Sequence, residues 1–280
     1  DMLLSLDDIA LFVANWNSKA DNLKYIQKTL NLGFDSMVYI DDNPCERDLI
    51  RSFLPEIEVP ELPDDPADYC SFLQNLNLFE TASYTSEDEN RTRQYIQEMN
   101  RVVVQQQYNN EDEFLQSLSM RCGVSLPDEF NIPRIAQLTQ RTNQFNLRTV
   151  RYTDEDIVRI FEDPSFFTLS FNLADKYGDY GLVSLIILRK TSDKSLFIDT
   201  WVMSCRVFNR NLEAFVMNYV MDFVSRKGFS EVVGEYVPTL KNAIVKDLYL
   251  RLGFEEEHNR WMLKTENYKI RKTYITLVSK

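Results

Sequence analysis

Asp199-Thr200-Trp201-Val202-Met203-Ser204-Cys205-Arg206 is a β-rich apolar run that ends on a thiol and a guanidinium, and Leu248-Tyr249-Leu250-Arg251-Leu252-Gly253-Phe254 is a helical run stopped by glycine. Outward from the first run, residues 167–171, 182–188 and 196–202 predict three consecutive strands. Lys176-Tyr177-Gly178-Asp179 and Thr191-Ser192-Asp193-Lys194 are turn chemistry between them, so the three are expected to form a meander. Downstream, Leu212, Phe215, Val216, Tyr219, Val220, Phe223 and Val224 recur at the spacing of one buried helical face, ended by Lys227-Gly228. A strand over 231–237, a helix from about 240 to 252 and a closing strand at 261–263 follow. Strand and helix alternating after a meander is an α/β pattern.

The upstream text is different. Residues 17–32 carry apolar side chains at helical spacing, with Gly33 as the expected stop. Residues 36–40 form a short apolar run, expected to be a fully buried strand delivering Asp41-Asp42 at its carboxyl end, and Asn43-Pro44 opens a helix to about 53. Four prolines, at 55, 60, 63 and 66, allow only a short strand at 57–59 before helix resumes over 67–76. Thr85 and Ser86, ahead of Glu87 and Asp88, predict the start of a charged connecting helix to about 108. A strand at 121–126 and a helix at 133–142 precede the meander. The expected division is 1–84, a helical connector 85–118, and 119–280.

Length supports two units, since 280 residues exceed what one hydrophobic core usually organises. A hydrophobic share of 44% suffices for real cores. The net charge of −12, with no basic run, repels a phosphate backbone, so nucleic acid is not an expected partner. No apolar stretch reaches the roughly 20 residues that span a bilayer, and no basic-then-apolar leader opens the chain. A cytoplasmic protein without a membrane partner is the expectation. The start at Asp1, directly in structured text, reads as part of something longer. Cys45, Cys70, Cys122 and Cys205 stand too far apart for a zinc or disulfide framework, and the single histidine, His258, reads as a solvated turn residue.

Three constellations have chemical potential. Lys19 with Asp41 and Asp42 suits Mg²⁺ and phosphate, or equally a solvated turn beside an exposed lysine. Cys205, between a strand end and the helix that follows, has Arg206 and Arg210 nearby; such surroundings lower a thiol pKa and attract phosphate, although strand-end thiols are often only packing. Asn143, Gln144 and Asn146 suit hydrogen bonding to a hydroxylated acyl group, and Glu235, Tyr236, Thr239 and Asn242 can line the same cleft. Caps and turns are the alternative for each.

Several motifs add a resemblance. Asn15-Trp16, Lys19-Ala20-x-Asn22-Leu23, Leu30-Asn31-Leu32-Gly33, Asp35-Ser36, Ile40-Asp41-Asp42-Asn43-Pro44-x-Glu46-Arg47 and Val59-Pro60-Glu61-Leu62-Pro63 look like the FkbH-like family. So do Thr142-Asn143-Gln144-Phe145-Asn146-Leu147, Ser204-Cys205-Arg206-Val207 and Glu235-Tyr236-x-Pro238-Thr239-x-Lys241-Asn242. The resemblance covers nearly the whole chain. It implies a haloacid-dehalogenase-like (HAD, Rossmannoid) phosphatase segment followed by a GNAT-like acyltransferase domain with a mixed central sheet. It further implies loading of an acyl or glyceryl unit from a small phosphorylated donor onto the phosphopantetheine thiol of an acyl carrier protein, in secondary metabolite biosynthesis.

On that resemblance Cys205 is a transient thioester site, Tyr249 protonates a departing thiolate, and Lys19, Asp41 and Asp42 belong to a phosphoryl site with Mg²⁺. No Asp-x-Asp followed by small or hydroxyl residues opens the chain, so the phosphatase part is expected to be incomplete and Mg²⁺ to need the complete part. The R-x-x-G-x-G/A loop that receives coenzyme A or pantetheine aligns with Arg206 to Asn211, with asparagine at both glycine positions. A non-catalytic binding or scaffold module is the alternative, and a Mg²⁺ phosphatase a third if the missing segment exists.

Overall fold

The computed structural model describes residues 5–80 and 91–278. The chain divides into two compact units, one up to Gln106 and one from Gln107 onward.

In the first unit, helix α1 (Lys19–Leu30) starts at Ser18, whose hydroxyl accepts from Asp21 N. It ends at Asn31, left-handed at φ 51°, and not at Gly33, because asparagine tolerates that conformation and closes the helix first. The strand expected at 36–40 is a single parallel bridge, Val38 to Glu58, made by Tyr39 N to Glu58 O at 2.8 Å and Glu58 N to Met37 O at 3.1 Å. Its side chains are half-buried or exposed rather than buried, since a ladder with one short partner covers neither face. Helix α2 (Pro44–Phe53) has Asn43 as N-cap and Pro44 in its first turn, as expected. Ala20, Ile50, Leu54, Ile57 and Val59 form the small core. A 3-10 turn (Pro66–Asp68) leads into α3 (Tyr69–Asn75), and α4 (Arg91–Gln105) closes the unit. The cap expected at Thr85, Ser86, Glu87 and Asp88 lies outside the described residues.

The second unit contains α5 (Glu111–Ser117), which pattern reading missed, then β1 (Arg121–Ser125), α6 (Ile132–Arg141) and α7 (Asp154–Glu162). The meander follows as β2 (Phe166–Asp175), β3 (Gly178–Lys190) and β4 (Ser195–Met203), paired antiparallel throughout. Then come α8 (Leu212–Arg226), β5 (Glu231–Gly234), α9 (Leu248–Leu252), β6 (Glu255–Glu257), β7 (Arg260–Lys264) and β8 (Thr276–Val278). Among the described residues the sheet runs β6-β7-β5-β4-β3-β2-β1-β8, with β4/β5 and β1/β8 parallel and the other pairs antiparallel. The fold is α/β with a mixed central sheet.

Hydrophobic burial on both faces holds the sheet. One face packs α8 through Leu212, Phe215, Val216, Val220 and Val224, together with Met217 and Met221; Tyr219 and Phe223 are only partly buried. Each fully buried side chain of this kind contributes roughly 1.5–3 kcal/mol. The other face packs Ile135, Ala136, Leu138, Ile157 and Ile160 of α6 and α7 against Leu182, Leu185, Ile187 and Val202. The helix expected over 240–252 is shorter, a 3-10 turn (Ala243–Val245) followed by α9 and ended by Gly253 at φ 91°. The strand expected over 231–237 stops at Gly234.

Gly234 lies so close to the Tyr249 ring that an added Cβ would meet it within 2.5 Å. Gly234→Ala is therefore expected to destabilise the unit by about 1–3 kcal/mol in urea unfolding, through overpacking. Adding Tyr249→Leu should recover most of the loss.

Candidate functional site

β4 and β5 pair over only three positions, Ser195 with Glu231, Leu196 with Val232 and Phe197 with Val233. β4 continues to Met203 while β5 ends at Gly234, so the two parallel strands part and leave backbone groups facing a gap. Residues 145–147, from the α6–α7 loop, fill it. Asn146 bridges Val202, Met203 N donates to Phe145 O at 3.1 Å, and Val237 N donates to Leu147 O at 2.8 Å. Phe145 packs edge-on to Trp201, with ring centroids 5.6 Å apart.

Two polar devices lock this insertion. The buried Asn242 amide uses its full capacity. Its Nδ2 donates to Asn146 O and Val237 O, both at 2.9 Å, and its Oδ1 accepts from Thr239 N at 2.7 Å and Tyr236 Oη at 3.2 Å. Arg148 is the second device. Its Nε donates to Glu235 at 2.9 Å, and its Nη1 to Asp199 O at 2.7 Å and Asp199 Oδ1 at 3.2 Å. The Tyr152 hydroxyl also donates to Asp199. Burial first, and that bond second, push the Tyr152 pKa up.

The structure therefore gathers Asn146, Glu235, Tyr236, Thr239 and Asn242 as the sequence suggested, but as a mutually satisfied cross-link. Asn146 and Asn242 are buried, and the Asn146 amide serves Thr149 N and Thr142 O. They are not placed to grip an acyl group. Asn143 instead accepts from Arg151 at 2.8 Å, and Gln144 is exposed. Arg148, Tyr152 and Asp199 were missed; a buried aspartate inside an otherwise apolar strand was the available signal.

Cys205 opens a 3-10 turn (Cys205–Val207) directly after β4 and is half-exposed, whereas Cys45 and Cys70 are exposed. Cys122 is buried, which pushes its thiol up to about 12. Cys205 is not at the N-terminus of α8, which begins seven residues later. Arg206 is half-buried, and its Nε donates to Ser204 Oγ at 3.2 Å. Arg210 is buried over the Phe114 ring, 5.7 Å from its centroid, so its charge is withdrawn from any docking surface. Asn209 and Asn211 both take left-handed backbone, φ 59° and 56°, the conformation glycine adopts most cheaply.

Tyr249 lies wholly in the core, with Phe254 and Trp261 rings 4.9 and 6.0 Å away. Its hydroxyl has no hydrogen-bond partner among the described residues, and burial raises its pKa. The expected proton donor is packing, because the helix face it occupies is turned to the sheet.

In the first unit, Lys19 pairs with Asp41, which also accepts from Tyr39 Oη at 2.6 Å and Asn43 N at 2.9 Å. Burial works to raise the Asp41 pKa, but these hydrogen bonds outweigh it and hold the carboxyl below its ordinary value. Arg47, buried, ties the turn by donating to Asp41 O at 2.8 Å, Asp42 O at 3.1 Å and Glu61 at 2.9 Å. Asp42 is exposed. Mg²⁺ requires several unencumbered oxygens. Asp41 is already surrounded by three donors, and no group of three His, Cys, Asp or Glu among the described residues has metal-site geometry. The residues present do not fit a Mg²⁺ site.

No protein-family model and no curated protein matches the chain. Over 30% of its length it is 64% identical to the N-terminal part of a Bacteroides fragilis protein containing a phosphatase domain, solved in complex with Mg; the TM-score is 0.29. The chain covers 22% of that structure's length. It is also similar to the Escherichia coli ribosomal-protein-S18-alanine N-acetyltransferase, at 14% identity and TM-score 0.40 over 53% of this chain and 99% of that one. Spermidine N-acetyltransferase from Vibrio cholerae, solved with CoA and spermine, is similar at 11% identity and TM-score 0.41, over 53% and 98% of the two chains. No helix among the described residues is long and apolar enough to cross a membrane.

Asn242→Ala removes the four hydrogen bonds made by a buried amide and should cost about 2–4 kcal/mol in urea unfolding. Tyr249→Phe removes a hydroxyl without a partner, so its unfolding midpoint should stay level or rise; a clear fall would show that the hydroxyl bonds in solution.

Proposed function

We propose that the second unit is an acyl-transfer module of the FkbH-like kind, working in the cytoplasm with an acyl carrier protein. The observation that carries this reading is the turn from Cys205 to Asn211. A half-exposed thiol ends the buried strand β4, and two left-handed asparagines keep the backbone of a glycine loop directly ahead of α8. The thiolate attacks the acyl carbon of a small acyl phosphate, forming a C–S bond as the C–O bond to phosphate breaks and phosphate leaves. The carrier's pantetheine thiol then attacks the thioester, giving up its proton and regenerating the Cys205 thiol. Arg206, within this turn, supplies positive charge for the phosphate or an acidic carrier, and the exposed Lys241 is proposed to add to the carrier-facing charge.

Met203 N, on the edge of β4 facing the gap, is engaged by Phe145 O, so an extended pantetheine arm, whether of coenzyme A or of a carrier, meets an occupied donor there. The same plugging, with the buried Arg210 and Tyr249, favours the second reading, a non-catalytic binding module.

Intact-mass measurement after incubation with acetyl phosphate separates the two. Wild type should gain one acetyl mass that hydroxylamine removes, and Cys205→Ser should gain none. No adduct on wild type, or the same adduct on the variant, favours the binding module.

A further inference from the structure

On the sheet face away from α8, beyond the cover of α6 and α7, a cleft of about 300 Å³ opens over Phe197, Val233 and Met262. Its rim carries Arg260, His258 and Ser195. Three guanidinium groups converge on the Phe197 ring, Arg148 at 4.9 Å, Arg189 at 5.5 Å and Arg260 at 5.8 Å from its centroid. Arg148 is neutralised by Asp199 and Glu235. Arg189 and Arg260 are exposed, and neither forms an ion pair with a described carboxylate. Two such arginines over one ring leave two guanidinium groups beside the cleft that no described carboxylate pairs with. Glu257, also on the rim, opposes Arg260 in register without ion-pairing to it.

From this geometry we infer that the cleft binds a small oxyanion with an apolar body, a phosphate monoester or a carboxylate. The oxyanion takes the forked donors of Arg189 and Arg260, and the body lies on Phe197, Val233 and Met262. Guanidinium suits both anions because its parallel N–H groups match two oxygens at once. A cleft of about 300 Å³ is at the lower end of the size of small-molecule sites, and it combines an apolar floor with a polar and charged rim. The assignment stands on these residues alone and does not rest on Cys205 chemistry.

Calorimetric titration of the full chain with phenyl phosphate, benzoate and benzyl alcohol tests it. Phenyl phosphate or benzoate should bind and benzyl alcohol should not, with affinity falling as salt rises; the tighter of the two anions identifies the oxyanion. Arg189→Gln and Arg260→Gln should each weaken binding about tenfold, a loss of the order of one charge-assisted hydrogen bond. Glu257→Gln should tighten it. Arg226→Gln, which makes the same charge change on α8, should leave it unchanged. Arg260, on the rim, and Arg189, beside Phe197, are both exposed, so their variants should keep the wild-type unfolding midpoint. Absence of binding by both anions, equal binding of benzyl alcohol, or full affinity in the double arginine variant would overturn the assignment.

Discussion

The parting of β4 and β5 is the constraint from which the second unit's polar architecture follows. Two parallel strands that separate after three residue pairs expose backbone donors and acceptors inside a protein, where an unpaired group costs as much as a lost hydrogen bond. The chain answers with residues 145–147, which pair to β4 on one side and to the segment after β5 on the other. That is why β5 stops at Gly234. Its continuation pairs with the inserted loop instead of with β4.

Keeping an irregular loop inside a sheet requires its own polar groups to be met. Asn242 does so with four hydrogen bonds, and Arg148 does so by spanning Asp199 and Glu235. Both devices draw on side chains that an open cleft would have offered to a ligand. The proposed acyl site at the Cys205 turn and the inferred oxyanion site over Phe197 both lie outside this cross-link. Arg148 links the two regions, since the guanidinium that holds the inserted loop also stacks on the floor of the cleft.

The first unit shows the same economy on a smaller scale. Its Asp41-Asp42 turn is held by Lys19, Tyr39 and Arg47, so a carboxylate expected at an open strand end is engaged by its own neighbours. An acidic pair after an apolar run is a metal signature only if its oxygens remain available, and here the nearest ammonium and hydroxyl already occupy Asp41.

Periodicity alone determined the meander, the α8 face and the stops at Gly228 and Gly253, because side-chain burial on a strand or helix repeats with the local backbone geometry. Local chemistry likewise determined the Asn43-Pro44 helix start and the tolerance of Asn209 and Asn211 for left-handed backbone. It did not reveal α5, β6, β8 or the shortening of the 36–40 strand, since short elements exist only where a neighbour pairs with them. Tertiary structure decided the fate of the candidate site. Arg210 and Tyr249 were drawn into the core, Asn146 and Asn242 were spent on a loop, and Arg148, Asp199 and Phe197 were brought together from distant positions. Whether a polar side chain binds a ligand or closes the fold depends on which partners reach it in space, and spacing along the chain carries no record of that.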